Sequence, residues 1–280
     1  MNERTAKADG LEIATEAFGD PANEPILLIM GAMASMLWWP EEFCRKIAAR
    51  QRHVIRYDNR DTGLSTFYPP GSPPYGKDDL ADDASRVLDA YGIESAHLVG
   101  MSLGGEIAQI AALAHPKRVK TLTLISTSPL GVDAADLPRA SDAYMEHAAA
   151  GEKVDWSDVA QVVDFVVKDT RMIAGVSHPY DERRARSLVE RDVKRARNFV
   201  SATNHFMLQG GEAWKGKLGE LTASTLVIHG SADPIFPIGH GETLARTIDK
   251  ARFMRLEGGG HEIHPEDWEA IVTSIEDHTA

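Results

Sequence analysis

Ser102 stands in the run Gly100-Met101-Ser102-Leu103-Gly104-Gly105, directly after the apolar stretch Ala96–Val99 and at the start of a helical pattern over Gly104–Ala114. A serine in that setting reads as a nucleophile elbow. The residue is held on a sharp strand-to-helix turn, and small neighbours let the two arms of the turn approach. The helix N-terminus adds a positive dipole end and free backbone N–H groups beside the serine oxygen. A chance G-x-S-x-G match would lack the flanking strand and helix. A phosphate-cradling loop would need the P-loop lysine or the dinucleotide glycine spacing, and neither occurs here.

A serine hydroxyl is a weak nucleophile and needs a base within hydrogen-bond reach, itself oriented by a third group. After an elbow of this type the order along the chain is serine, acid, histidine. The apolar run Thr225–His229 ends in Gly230-Ser231-Ala232-Asp233-Pro234, which puts Asp233 at a strand's carboxyl end. The next run, Ala251–Leu256, leads through Glu257-Gly258-Gly259-Gly260 to His261. His261 is therefore the expected base and Asp233 the expected acid, with Asp133 as the alternative acid. The three glycines suggest a loop free to aim an imidazole rather than a structural need. His229 and His97 read as strand residues, and His240 and His264 as helix-cap or surface positions. The oxyanion of a tetrahedral intermediate would be held by the N–H of Leu103, the residue after the serine, and by an N–H from Met30-Gly31-Ala32-Met33, with Ala32 the expected second donor.

These residues need a scaffold that brings several strand ends to one place. Buried strands are predicted at Ile26–Met30, Val54–Tyr57, Ala96–Val99, Thr121–Ser126, Thr225–His229 and Ala251–Leu256, continuous apolar runs of the kind buried on both faces of a parallel sheet. Helical patterns fall at Glu41–Arg50, Lys77–Tyr91, Gly104–Ala114, Gly239–Ile248 and Pro265–Ile275. The alternation defines an α/β fold with a mostly parallel sheet. Between Ser126 and Thr225 the rhythm breaks for 98 residues that are helical in pattern, around Ser141–Ala150, Trp156–Lys168 and Asp181–Val200. A crossover needs only a dozen or so. The expected organisation is a core of residues 1–129 and 223–280 with a helical cap over 130–222.

With the motifs in place, the sequence resembles the α/β-hydrolases, and within them the aclacinomycin methylesterase group of polyketide-tailoring esterases. The segments that carry the likeness are Leu28-Ile29-Met30-Gly31, Trp39-Pro40, Val54-Ile55-Arg56-Tyr57-Asp58-Asn59-Arg60-Asp61-Thr62-Gly63 and the elbow. The resemblance implies the triad Ser102, Asp233 and His261 and oxyanion donors at Ala32 and Leu103, and it makes Arg60–Gly63 a structural turn. It departs at Ala32, where that group carries a second glycine.

Composition sets outer bounds. The chain has 280 residues, 43% hydrophobic and 26% charged, which excludes disordered and fibrous classes. Thirty basic against 42 acidic residues give a net charge of −12, which disfavours nucleic acid and anionic membranes as partners. Ile26–Trp39 carries no charge but is too short to span a bilayer. The lone Cys44 and the mixed charges of Met1–Gly10 point to the cytoplasm. Met33 and Trp38 beside the donor loop, and Phe206 in the cap, are candidates for an apolar pocket. The basic cluster Arg183, Arg184, Arg186, Arg191, Lys194, Arg195 and Arg197 reads as a solvated helix face. The expected activity is hydrolysis of a hydrophobic carboxylic ester through an acyl-enzyme on Ser102, without cofactor or metal. A lactonase, a carbon–carbon bond hydrolase or a non-catalytic receptor-like binder are the alternatives. Oligomeric state is left open.

Overall fold

The computed structural model describes residues 3–280, so Met1 and Asn2 of the Met1–Gly10 stretch lie outside it. Eight strands form one sheet: β1 (Glu3–Ala8), β2 (Leu11–Phe18), β3 (Glu24–Ile29), β4 (Arg52–Tyr57), β5 (Ala96–Met101), β6 (Val119–Ile125), β7 (Ser224–Gly230) and β8 (Arg252–Leu256), in the order β1-β2-β4-β3-β5-β6-β7-β8. The six expected strands are all present, but β8 is not buried on both faces: it lies at the sheet edge with Arg252, Phe253 and Arg255 exposed. The β1–β2 hairpin is an addition. It pairs antiparallel within itself and onto β4, while every pair from β4 to β8 is parallel.

Alternation along β3 explains how helices come to lie on both faces. Leu27 and Ile29 pack into one apolar cluster with Leu80 and Val87 of α2 (Lys77–Ala90), Ile107 and Ala111 of α3 (Leu103–Ala114) and Leu244 of α7 (Gly239–Thr247). Ile26 and Leu28 pack on the other side with Phe43 and Ile47 of α1 (Glu41–Ala48) and Ile271 and Ile275 of α8 (Trp268–His278). Successive strand side chains point to opposite faces, so two-sided burial requires the unbroken apolar runs seen in the sequence.

Between β6 and β7 the chain forms a helical insert: α4 (Asp142–Ala150), α5 (Val159–Ile173), α6 (Glu182–Arg195) and a 3-10 segment, Phe199–Met207, among shorter turns. Its own apolar core is small, built from Val163, Val167 and Val189 with Trp38 packed against it. The insert is instead fastened to the sheet's loops by backbone hydrogen bonds. Ser141 N–H donates to Pro234 C=O (2.8 Å), Val176 N–H to Gly258 C=O (2.7 Å), Arg197 N–H to Gly63 C=O (2.8 Å) and Lys77 N–H to Gln209 C=O (2.8 Å). Among the described residues no helix is long and apolar enough to cross a membrane. The uncharged Ile26–Trp39 run is strand β3, a loop and a short 3-10 turn at Met36–Trp38.

Candidate active site

Parallel pairing levels the ends of the central strands. Ile29 of β3 lies beside Gly100 of β5, Met101 beside Ile125 of β6, Ile125 beside Ile228 of β7, and Gly230 beside Leu256 of β8. Gly31, Ser102, Asp233 and His261 each follow one of those ends, so four separate loops open on one sheet edge. Ligands of open α/β sheets bind at that edge.

Ser102 has φ 54° and ψ −124°, a strained conformation for a residue with a side chain and worth about 1–3 kcal/mol. Its surroundings enforce it. Ser102 N–H donates to Ile125 C=O (3.0 Å), while its own carbonyl accepts from Gly105 N–H (2.8 Å) and Thr127 Oγ1 (2.7 Å). Gly100 and Gly104 permit the tight passage, since a Cβ on Gly100 would strike the Gly104 carbonyl and one on Gly104 the Ile29 carbonyl. Leu103 is the first residue of α3, where an N–H has no helical acceptor. Gly31 packs so closely on the serine that a Cβ there would lie 3.0 Å from Ser102 Cβ, and Ala32 is the next residue along the chain.

His261 and Asp233 are both buried and joined by a 2.8 Å hydrogen bond from Nδ1 to Oδ2. Oδ1 of Asp233 accepts from the N–H groups of Ile235 (2.8 Å) and Phe236 (2.9 Å). Burial pushes this carboxyl up, but the His261 charge and hydrogen bond, His229 and the Phe236 N–H outweigh it and hold the group below its ordinary range. The acid is thus kept ionised and aimed by groups that leave Oδ2 for the imidazole. The Phe236 ring meets His261 edge-on, with centroids 5.6 Å apart. Among the described residues a Ser102 Oγ to His261 hydrogen bond is not formed; such bonds often tighten only once substrate is bound. Asp133, the alternative acid, is instead exposed and paired with Lys215 at 2.6 Å.

Three details differ from the sequence reading. The Gly258–Gly260 run has a structural need after all: a Cβ on Gly260 would strike Ile173 C=O and the Gly175 N–H, and Gly258 has φ 70°. That close passage lets His261 N–H donate to Ile173 C=O at the end of α5 (2.8 Å). His240 is buried rather than at the surface, hydrogen-bonded through its two ring nitrogens to Ser128 Oγ and Pro138 C=O. Arg195 of the basic cluster is not a solvated residue, because it lies in ion pairs with Glu3 and Asp58. The Arg60–Gly63 turn matches its structural reading, with Arg60 bidentate on Asp83 at 2.7 and 2.8 Å.

Of the pocket candidates, Met33 has φ 61° and lies beside Ala32. Trp38 donates its indole N–H to Asp192 Oδ2 of α6 (2.6 Å), so it ties the turn after β3 to the insert. Phe206 is 69% exposed, and its ring faces solvent rather than an enclosed apolar wall. Sequence reasoning missed Asp169 on α5. Burial raises its carboxyl to about 6 against the opposing charge of His261, and its Oδ1 lies 3.4 Å from His147 Nε2. No motif marks it. His178, His264 and Glu266 could offer three metal-ligand atoms within 4.8 Å of one another. They are already engaged without an ion: His178 with Glu266 (3.3 Å) and Asp267 (3.0 Å), and His264 as the cap of the turn at Pro265–Asp267.

A serine on a strained strand-to-helix turn and a buried histidine–aspartate pair on one sheet edge fit a hydrolase of the α/β class. The chain belongs to the alpha/beta hydrolase fold family, which it matches over residues 24–267. It is 34% identical to the rhodomycin D methylesterase DauP of Streptomyces sp. (strain C5), over 100% of this chain and 98% of that protein. It is 33% identical to the rhodomycin D methylesterase DnrP of Streptomyces peucetius, with the same coverage. The esterase RhEst1 of Rhodococcus sp. ECU1013 shares the fold, with a TM-score of 0.81 at 24% identity over 100% of this chain and 98% of the other. The activity class these comparisons support is carboxylic ester hydrolysis.

Proposed function

We propose that the protein hydrolyses a carboxylic ester, the methyl ester of a hydrophobic, polyketide-like molecule in the first instance, through an acyl-enzyme on Ser102. In this reading His261 takes the Ser102 proton as the hydroxyl attacks the ester carbonyl. Asp233 fixes the Nδ1–H tautomer and stabilises the imidazolium that forms. The N–H groups of Ala32 and Leu103 hold the oxyanion, and His261 returns the proton to the departing alcohol. Water, deprotonated by the same imidazole, then releases the acid. The helical insert over 130–222 acts as a cap above the sheet edge, and no cofactor or metal is required.

The observation that carries this reading is the 2.8 Å His261–Asp233 bond at the sheet edge where Ser102 occupies a strained elbow, in a chain alignable end to end with two methylesterases. That both relatives are named rhodomycin D methylesterases supports a methyl ester as the first substrate to try. Replacing Ser102 by Ala should lower turnover of a short p-nitrophenyl ester by several orders of magnitude and abolish fluorophosphonate labelling. Retention of most activity would overturn the proposal. A panel of methyl esters, longer alkyl esters and lactones then ranks the leaving groups, and a preference for lactones would replace the methyl ester assignment.

A further inference from the structure

His205 belongs to none of the motifs above, yet it touches the loop that carries the expected oxyanion donor. It lies in the 3-10 segment Phe199–Met207 of the insert and is almost completely enclosed. Both ring nitrogens are used. Nδ1 accepts the backbone N–H of Met33 at 3.1 Å, and Nε2 lies 2.7 Å from Arg60 C=O. A backbone N–H can only donate and a carbonyl can only accept, so this pair of contacts fixes the neutral Nε2–H tautomer. A charged ring would carry a proton on Nδ1 and break the Met33 bond. Burial lowers the His205 pKa, against the opposing effects of Arg60 C=O and Asp61, and so favours the form the geometry needs.

The position of the contact matters more than its strength. Met33 immediately follows Ala32 and has φ 61°, a left-handed conformation that a side chain adopts only when its surroundings hold it there. The Met33 N–H lies in the peptide plane that carries the Ala32 carbonyl, and the Ala32 N–H lies in the preceding plane, so anchoring the first restricts the second across the φ and ψ of Ala32 alone. On the other side of Ala32, Gly31 packs against Ser102. The donor loop is therefore held between the serine elbow and His205. The neighbouring Asn204 strengthens the anchor: its Nδ2 donates to Asp61 Oδ2 (3.0 Å) and its Oδ1 accepts from Gly71 N–H (2.8 Å). Oxyanion stabilisation requires donors pre-aimed to within a few tenths of an ångström at a charge that exists only in the transition state.

We infer that His205 is a positioning residue for the oxyanion hole, coupling the helical insert to the Ala32 N–H through the Met33 backbone. The inference rests on the Ser102-based reading above. It implies that removing the His205 acceptor lowers kcat while leaving KM nearly unchanged, because a misaimed donor weakens the transition state and not the ground state.

The test compares His205→Phe, which fills the space without an acceptor, with His205→Gln, which can still accept from Met33 N–H, and with Ser102→Ala in parallel, on one p-nitrophenyl ester. Loss of a whole oxyanion donor costs about 10²- to 10³-fold, so a misaimed one should cost about 10- to 100-fold. The expected result is that fall in kcat for His205→Phe, KM within about twofold, and recovery of most of kcat in His205→Gln, with Ser102→Ala inactive. Unchanged kcat in His205→Phe, or a rise in KM alone, with Ser102→Ala inactive, overturns the role of His205 only. An active Ser102→Ala overturns the underlying reading and this inference with it. Should His205→Phe fail to fold, nitrogen NMR of the wild-type imidazoles, with His205 assigned by its loss in His205→Gln, decides: a neutral ring protonated on Nε2 supports the inference, and one protonated on Nδ1 overturns it.

Discussion

Arg195, the last residue of α6, reaches Asp58 beyond β4 with Nη1 2.8 Å from Oδ2, and the Asp58 side chain has no exposure to solvent. The separation is that of an ion pair without aligned hydrogen-bond geometry. Asp58 also accepts from Met36 N–H (2.8 Å) and Leu64 N–H (2.9 Å), so one carboxylate joins the insert, the 3-10 turn after β3 and the turn after β4. Burial raises its pKa to about 6, against the pull of Arg195 and the two N–H donors.

This pair gives a stability prediction with a definite pH dependence. An acid whose folded pKa lies above its unfolded value binds more protons folded, so Asp58 makes the fold less stable as pH rises from about 4 to about 6. Arg195 limits that loss by favouring the ionised form. Arg195→Ala should therefore destabilise by about 3 kcal/mol at pH 8, where an uncompensated buried carboxylate remains, and by clearly less at pH 5, where Asp58 can hold its proton. Denaturant unfolding at the two pH values checks this, and an equal loss at both contradicts it.

The glycine loop before His261 gives a second prediction. Gly260→Ala would drive a Cβ into Ile173 C=O and the Gly175 N–H, all backbone, so neither side can yield cheaply. We expect a loss of stability of several kcal/mol, at the high end for single substitutions (~3 or more), and a fall in kcat as His261 is displaced. Gly216→Ala is the control. That glycine has φ 75° but no atom within 4 Å of the added Cβ, leaving only backbone strain of about 1 kcal/mol. Thermal melts of both variants separate collision from strain.

The scaffold was legible where burial on both faces demands apolar runs, which is why the strands from β3 to β7 could be read within a residue or two; β8, an exposed edge strand carrying Arg252 and Arg255, was found without that signal. The β1–β2 hairpin escaped that rule. Glu3, Arg4 and Lys7 leave β1 with little apolar signal, as suits an edge strand, and its cue was instead Asp9-Gly10, with φ 51° and 80° at the turn. Ser102, Asp233 and His261 could be singled out because each occupies a short motif at a strand end. His205, Asp192 and Asp169 could not. Their partners lie far along the chain, Met33 being 172 residues from His205 and Trp38 154 from Asp192, and only the folded insert brings them together.

Trp38 offers a third prediction, on the joint between the 3-10 turn after β3 and the insert. Its indole N–H donates to Asp192 Oδ2 at 2.6 Å, and burial raises the Asp192 carboxyl against this and other donors. Trp38→Phe keeps an aromatic ring but removes the donor from a buried acid, at a cost of about 1–3 kcal/mol. Chemical unfolding should show that loss, and a change below about 0.5 kcal/mol would mean the bond contributes little.

The fourth prediction separates the two acids by kinetics. Asp233→Asn keeps the size and most hydrogen bonds of the side chain, but an amide NH₂ turned toward His261 would favour the wrong imidazole tautomer, and the charge that stabilises the imidazolium is gone. In a serine–histidine–aspartate site this change costs about 10⁴-fold in kcat, with KM little altered because the carboxylate does not touch substrate. The Asp233 carboxyl is held below its ordinary range by His261, in spite of burial. Its ionised form therefore contributes stability that is present above the unfolded pKa and is lost as pH falls through the folded one, so Asp233→Asn should also flatten the acid limb of the stability curve. Asp133→Asn removes only an exposed pair with Lys215, worth roughly 0–1 kcal/mol, and should leave kcat within about twofold of wild type. Steady-state kinetics of the two variants on one ester decide the matter: comparable losses in both would return Asp133 to the site, and full activity in Asp233→Asn would remove Asp233 from it.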